Sequence, residues 1–195
     1  MKKFMVCITF ICMDVEIQNM VATTYIAKKL DLEKISNVLI NTSYNPNLFP
    51  GLVYHIEEPK AAFLLFKSGK VVCTGTKNIE NVRKAISKLC KTLKEKDFRI
   101  ISKPKIEVQN IVASADLHEN LNLTKIAFSI GLENVEYEPE VFPGMVYRME
   151  EPHVVILLFG SGKIVCTGAR KTEQIMEAVK KLKRKLEEKG FYKKI

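Results

Sequence analysis

The sequence predicts an α+β protein built from two tandem, pseudo-symmetric copies of one unit, and three observations lead there. The first is duplication: Phe49–Lys77 aligns with Phe142–Arg170 at 18 identities in 29 positions. A repeat of that quality sets the architecture before any single element does. The second is a meander signature inside each copy, short runs rich in β-branched and aromatic residues separated by Pro and Gly turn pairs. The third is a helical period closing each copy, where apolar residues recur at spacings of three and four. Two copies are too few for a solenoid, so they are expected to pack on each other about a pseudo-two-fold axis. The expected boundaries are 14–104 for the first repeat and 105–190 for the second.

The chain opens with MKKFMVCITFIC, two lysines and then a short apolar run. That run is too short to cross a bilayer, and no small-residue cleavage site follows it. Residues 1–13 are therefore expected to be a disordered or spurious extension, with Met13 a plausible start. Val15–Thr24 alternates and is rich in β-branched types, as a strand is. Asp31 stands as an N-cap before Leu32, Ile35 and Leu39, and Asn122 does the same before Leu123, Ile126 and Ile130. Tyr44-Asn45-Pro46 and Tyr137-Glu138-Pro139 read as short extended pieces leading into Phe-Pro-Gly. Phe49 and Phe142 precede proline, which keeps them out of the helical region. Each thus puts an aromatic ring at a loop tip.

Three strands follow in each copy, Leu52–Glu57, Ala61–Lys67 and Lys70–Thr74, matched by Met145–Glu150, Val154–Gly160 and Lys163–Thr167. Glu58-Pro59 and Ser68-Gly69 supply the turns. Ile79, Val82, Ala85, Ile86, Leu89 and Leu93 then mark a long amphipathic helix. Ile175, Met176, Val179, Leu182 and Leu186 repeat it. The outer faces carry lysines that a solvated surface explains. A short basic tail is expected over 191–195.

The chain carries 31 basic and 22 acidic side chains, a net charge of +9. The charge is uneven, 16 against 9 over residues 1–100 and 15 against 13 over the remainder. A basic chain favours polyanions, nucleic acid ahead of anionic membrane. The five cysteines form neither a C-x-x-C pair nor a zinc spacing, which fits a reducing compartment. Cys73 and Cys166 share one repeat position inside strands, where cysteine acts as a small hydrophobe. His55, His118 and His153 do not pair at ligand spacing, and Glu57-Glu58 and Glu150-Glu151 flank turn prolines. Neither a catalytic set nor a metal or cofactor site is read from the sequence.

Strand side chains alternate, so Phe63, Leu65, Val71 and Cys73 point one way and Leu64, Phe66, Val72 and Thr74 the other. Two helices per repeat can cover only one side. The other side is nevertheless apolar, with Val21, Leu64, Phe66 and Val72 in one copy and Val112, Leu157, Phe159 and Val165 in the other. Asn19, Asn110, Thr74 and Thr167 are its polar groups. An uncovered apolar surface of this kind marks a binding site. Ser68, Lys70, Lys77 and His55, with Ser161, Lys163, Arg170 and Arg148, border it. An apolar floor with phosphate-binding margins suits a DNA minor groove, where asparagine can donate to the acceptors of A·T pairs. The competing expectation is a face buried in a sandwich or an obligate dimer.

These residues resemble the TATA-box-binding protein family over Asp14–Lys189, with the short N-terminus of its archaeal members. The resemblance rests on Gln18-Asn19-Met20-Val21-Ala22 and Gln109-Asn110-Ile111-Val112-Ala113, on Phe142-Pro143-Gly144-Met145-Val146-Tyr147-Arg148-Met149, and on the duplicated Phe-x-Ser-Gly-Lys-x-Val-Cys-Thr-Gly. It implies a saddle, a curved ten-stranded antiparallel sheet with four helices on the convex side. It implies a general transcription initiation factor that binds the TATA box through the minor groove and bends it, as this family is known for doing with wedged phenylalanines. Phe49 with Phe66 and Phe142 with Phe159 would intercalate. Asn19, Val21, Leu64, Val72, Thr74, Asn110, Val112, Leu157, Val165 and Thr167 would line the groove floor. His55, Ser68, Lys70, Lys77, Arg148, Ser161, Lys163 and Arg170 would meet phosphates, His55 standing where the family usually has arginine. Glu138, Glu140 and Val141 would receive transcription factor B, which brings RNA polymerase. A homodimer of the free protein through its saddle is a further expectation, as is a cytoplasmic, nucleoid-associated place in an archaeon or a nuclear one in a eukaryote. No membrane partner is expected. The rival classes are a base-excision or nuclease domain, which lacks a catalytic set here, and a protein-only dimerisation module.

Overall fold

A computed structural model describes residues 14–192. The proposed extension with Met13, Cys7 and Cys12, and Lys193 and Lys194 of the tail, lie outside the described residues. By contacts the chain divides into two compact units, Ile17–Ile111 and a second that takes the chain from Val112 onward.

In the first repeat, β1 (Glu16–Tyr25) leads to α1 (Leu32–Val38) and the two-residue β2 (Thr42–Ser43). Strands β3 (Leu52–Glu57), β4 (Lys60–Leu65) and β5 (Lys70–Thr76) come next, then α2 (Ile79–Lys94). The strands order β2-β3-β4-β5-β1, each pair antiparallel. In the second repeat β6 (Glu107–Asp116), α3 (Leu123–Ile130) and β7 (Val135–Glu136) precede β8 (Gly144–Met149), β9 (Val154–Phe159), β10 (Lys163–Ala169) and α4 (Thr172–Glu188). Their order, β6-β10-β9-β8-β7, repeats the first. The described residues thus hold the ten strands and four α-helices of the expected architecture. None of these helices is long and apolar enough to cross a membrane.

Local chemistry fixes the ends of these elements. The Asp31 carboxylate accepts from the Lys34 amide at 3.0 Å and the Asn122 side chain from the Lys125 amide at 3.0 Å, so both proposed N-caps close their helices. The long helices use Asn78, which accepts from Asn81 N, and Gln174, whose Oε1 accepts from Lys171 N. The β4–β5 and β9–β10 turns need glycine. Gly69 and Gly162 sit at φ +79 and +82, and a Cβ would lie 1.9 Å from the Ala27 carbonyl oxygen or 2.4 Å from that of Glu119.

One sequence expectation shifts. Tyr44-Asn45-Pro46 and Tyr137-Glu138-Pro139 are not extended throughout, because the strand stands just before them in β2 and β7. The Asn45 carbonyl then accepts from Leu48 N and Phe49 N, and the Glu138 carbonyl accepts from Val141 N and Phe142 N. Proline second in such a turn has its φ preset, so the chain reverses there.

The core lies on one side of the strands in each repeat. Phe63, Leu65, Val71 and Cys73 are fully buried under α2, whose inward stripe is Val82, Ala85, Ile86, Leu89 and Leu93. Ile156, Leu158, Ile164 and Cys166 are buried likewise under α4. Burial pushes the Cys73 thiol up to about 12 and that of Cys166 to about 11, the behaviour of cysteine serving as a small hydrophobe. Phe191 and Tyr192 of the supposed basic tail join the fold, the Phe191 amide donating to the Leu186 carbonyl at 2.9 Å. Tyr192 donates its hydroxyl to the Leu117 carbonyl at 3.2 Å and lies 4.5 Å from the ammonium of the buried Lys183, a cation–π contact.

Candidate nucleic-acid interface

The second face of the strands in each repeat is left open. In the first repeat Asn19, Val21, Thr23, Val53, Ala62, Leu64, Phe66, Val72 and Thr74 are all half-buried, each alternating with a buried neighbour. Asn110, Val112, Ser114, Val146, Val155, Leu157, Phe159, Val165 and Thr167 do the same in the second. Strand pairing turns these residues into rows. One row runs Val53, Leu64, Val72, Thr23, and the next runs His55, Ala62, Thr74. In the second repeat the rows are Val146, Leu157, Val165 and Arg148, Val155, Thr167. Each face is therefore a smooth apolar floor with polar groups at fixed corners.

A β-bulge sets the asparagine corner. Between Met20 and Ala22 the β1–β5 register slips, so that Thr74 and Gly75 together oppose the single residue Val21, with Gly75 at φ +85. The Gly75 amide donates to Asn19 Oδ1 at 2.9 Å, and Asn19 Nδ2 donates to Thr74 Oγ1 at 3.0 Å. With its oxygen held by the backbone, the carboxamide keeps its remaining N–H as a donor.

A phenylalanine pair closes the far end of each floor. Phe49 and Phe66 meet edge to face with centroids 6.0 Å apart, and Phe142 and Phe159 at 5.9 Å. Phe49 and Phe142 nevertheless stay 40% and 37% exposed, high for rings of that size. Gly51 and Gly144 seat them, since a Cβ there would stand 2.6 Å and 2.7 Å from the Phe49 and Phe142 rings. Wedge-shaped apolar side chains beside an apolar floor are what prising apart a base step requires.

Comparison with known proteins decides the family. The family model described as transcription factor TFIID, or TATA-binding protein, matches residues 14–96 and again 105–189. The chain belongs to this family. A TATA-box-binding protein of Picrophilus torridus is 56% identical over 91% of this chain and 96% of its own length. That of Archaeoglobus fulgidus is 51% identical over 91% of this chain and 97% of its own. Among solved structures, Methanococcus jannaschii TBP superposes with a TM-score of 0.83 at 46% identity, covering 89% of this chain and 98% of that one.

Set against the family resemblance, the residues expected on the groove floor all fall on the open faces. Lys70 is half-buried, Ser68, Lys77, Ser161, Lys163 and Arg170 are exposed, and Lys77 donates to Gln18 Oε1 at 3.0 Å. Glu138, Glu140 and Val141 are exposed on the loop before Phe142, Val141 at 79%. Arg148 is held by Glu136, with Nε at 3.1 Å from one carboxylate oxygen and a terminal nitrogen 3.4 Å from the other. Sequence reasoning missed Val53 and Val146 on the floor, although alternation from Leu52 and Met145 would have found both. It also missed the glycine seats and the carboxylate on Arg148.

Proposed function

We propose that this protein is a general transcription initiation factor that binds TATA-box DNA through the minor groove. The observation that carries the reading is the pair of open apolar faces, each closed by a half-exposed phenylalanine pair. On binding, Phe49 with Phe66 and Phe142 with Phe159 wedge into base steps and bend the duplex. Unstacking costs a few kcal/mol per step and is offset by burying the floor against a widened groove. Flexible pyrimidine–purine steps lower that cost, so sequence is selected through deformability as well as contact. Asn19 and Asn110 donate to the acceptors that A·T pairs offer, while the amino group of guanine meets apolar side chains. Glu138, Glu140 and Val141 receive transcription factor B, which in turn brings RNA polymerase. Without DNA the same apolar faces favour self-association.

A gel-shift comparison of a TATA duplex with a G·C-substituted duplex of equal length, at one fixed salt concentration, tests the reading. The TATA duplex is expected to bind at least tenfold more tightly, and dyes at the duplex ends are expected to approach each other on binding. Equal affinity for the two duplexes would overturn it.

A further inference from the structure

The chain leaving each long helix returns to the same place in its own repeat. After α2, Phe98 N donates to Leu93 O at 3.1 Å, and Ile101 N then donates to the Ile26 carbonyl at 2.8 Å. After α4, Phe191 N donates to Leu186 O at 2.9 Å, and the Tyr192 hydroxyl then donates to the Leu117 carbonyl at 3.2 Å. Ile26 and Leu117 each follow the last residue of their repeat's first strand, β1 or β6, and both are buried. A buried carbonyl needs a donor. One repeat supplies a backbone amide and the other a side chain. The segment that Leu117 opens is the bed of the β9–β10 turn. Leu117 N donates to Gly162 O at 3.0 Å, Leu121 N donates to Gly160 O at 2.8 Å, and Gly162 lies so close to the Glu119 carbonyl that no Cβ fits. Phe159 stands at the base of that turn, its carbonyl accepting from Gly162 N at 2.9 Å.

We propose that Tyr192 is a positioning residue for DNA binding, its hydroxyl fixing Leu117 so that residues 117–121 hold the β9–β10 turn, with Phe159 and Ser161, in the geometry that meets the groove. The inference rests on the DNA-binding reading above and extends it to a residue packed against α4. A wedge held in place before contact loses less freedom on binding than one that must be ordered by it. Tyr192 is itself held from two sides, by the Leu117 carbonyl and by the Lys183 ammonium 4.5 Å from its ring, so the hydroxyl is aimed. Removing that hydroxyl takes the donor from the Leu117 carbonyl while the ring still covers Lys183. The loosening is confined to the second repeat, because the donor to Ile26 is a main-chain amide that no side-chain change removes.

Tyr192→Phe tests this in two ways. Hydrogen exchange of the DNA-free protein is expected to quicken about fivefold at the Leu117 and Leu121 amides, the worth of one hydrogen bond in a local opening equilibrium. The Ile26 and Leu30 amides, which make the matching bonds to Gly69 and Lys67, are expected to exchange as in the wild type. Affinity for a TATA duplex at one fixed salt concentration is expected to fall about fivefold in the otherwise wild-type chain and again in Phe66→Ala/Ser68→Ala. In Phe159→Ala/Ser161→Ala the same change is expected to cost less than about twofold, since residues that act through one another do not add. A tyrosine that only steadies the end of α4 gives an equal loss in both backgrounds, or none. Exchange at Leu117 and Leu121 equal to wild type, unchanged affinity, or equal losses in the two backgrounds would each overturn the proposal. If neither double variant by itself weakens TATA binding, the DNA-binding reading fails and the proposal falls with it, whatever the exchange rates show.

Discussion

Before Phe49 the loop reads Asn45-Pro46-Asn47-Leu48, and before Phe142 it reads Glu138-Pro139-Glu140-Val141. The same two backbone hydrogen bonds close both turns, the same edge-to-face ring pair follows, and a glycine seats the ring in each. What the repeats share is backbone geometry and the apolar floor; what separates them is charge at the rim. The lesson is that duplication kept the parts that shape the open face. The rims of the two repeats were left electrostatically unlike, with Ser43 and His55 on the first and Glu136 and Arg148 on the second. Two identical halves could not tell one direction along a duplex from the other, so under the proposed function direction would fall to those differences.

The largest test of that equivalence is removal of each ring pair in turn. Phe142→Ala/Phe159→Ala and Phe49→Ala/Phe66→Ala are each expected to weaken TATA binding by about 4 kcal/mol, roughly a thousandfold. Each is expected to abolish one of two kinks, read as a partial loss of end-to-end energy transfer. The fold survives, because Phe49 and Phe142 are loop residues and Phe66 and Phe159 face away from the core. Bending that is unchanged in either variant would break the comparison at that end.

The buried thiols give the next effect, on stability. Folded values of about 12 for Cys73 and about 11 for Cys166 lie above the ordinary 9.0 because burial disfavours the thiolate. The unfolded chain therefore loses these protons first. Their contribution is complete below pH 9 and is lost as pH rises through 11 and then 12. Each thiol steepens the alkaline fall in stability by about 1.4 kcal/mol per pH unit, up to about 3 kcal/mol by pH 11. In chemical denaturation, Cys73→Ala and Cys166→Ala are expected to flatten that fall equally between pH 9 and 11. Above pH 11 only Cys73→Ala continues to do so. A slope unchanged by either substitution would show that the thiols ionise normally.

The rim should behave in the opposite way, with the repeats unequal. Glu138→Arg/Glu140→Arg is expected to leave binary DNA affinity within threefold of wild type and to weaken the ternary complex with transcription factor B by about tenfold, 1.4 kcal/mol. Asn45→Arg/Asn47→Arg, the matching change on the first loop, is expected to leave the ternary complex intact. Equal loss from both loops in an electrophoretic supershift would make the rim as symmetric as the floor.

Much of this was legible before any coordinates, for reasons particular residues make plain. The duplicated Phe-Pro-Gly and Ser-Gly-Lys segments locate every hairpin, and alternation in 61–67 and 70–74 separates Phe63 and Cys73 from Leu64 and Val72. The open face followed from counting helices against sheet sides. The two-residue strands β2 and β7 were not legible, since a period needs more residues than they have. The Glu136–Arg148 pair was hidden for the same reason, because it depends on the register of β7 on β8. The anchoring of Tyr192 depends on Leu117, far away in sequence, and on Lys183 in the preceding helix, and neither carries a local signal.

The smallest effect concerns how the long helices stop. α4 ends at Gly190, φ +74, with Gly190 N bonded to Glu187 O and Phe191 N to Leu186 O. α2 ends with the same two bonds, Asp97 N to Lys94 O and Phe98 N to Leu93 O, but Asp97 takes the left-handed position at φ +64. This is a Schellman cap in both, and only glycine enters it without a Cβ penalty. Asp97→Gly is therefore expected to stabilise the protein by about 0.5–1 kcal/mol, and Gly190→Ala to destabilise it by about 1 kcal/mol. Denaturant midpoints at unchanged m-value measure both. If Asp97→Gly lowers the midpoint, the aspartate is favoured there by more than its backbone angle, and the two caps are alike in geometry but not in energy.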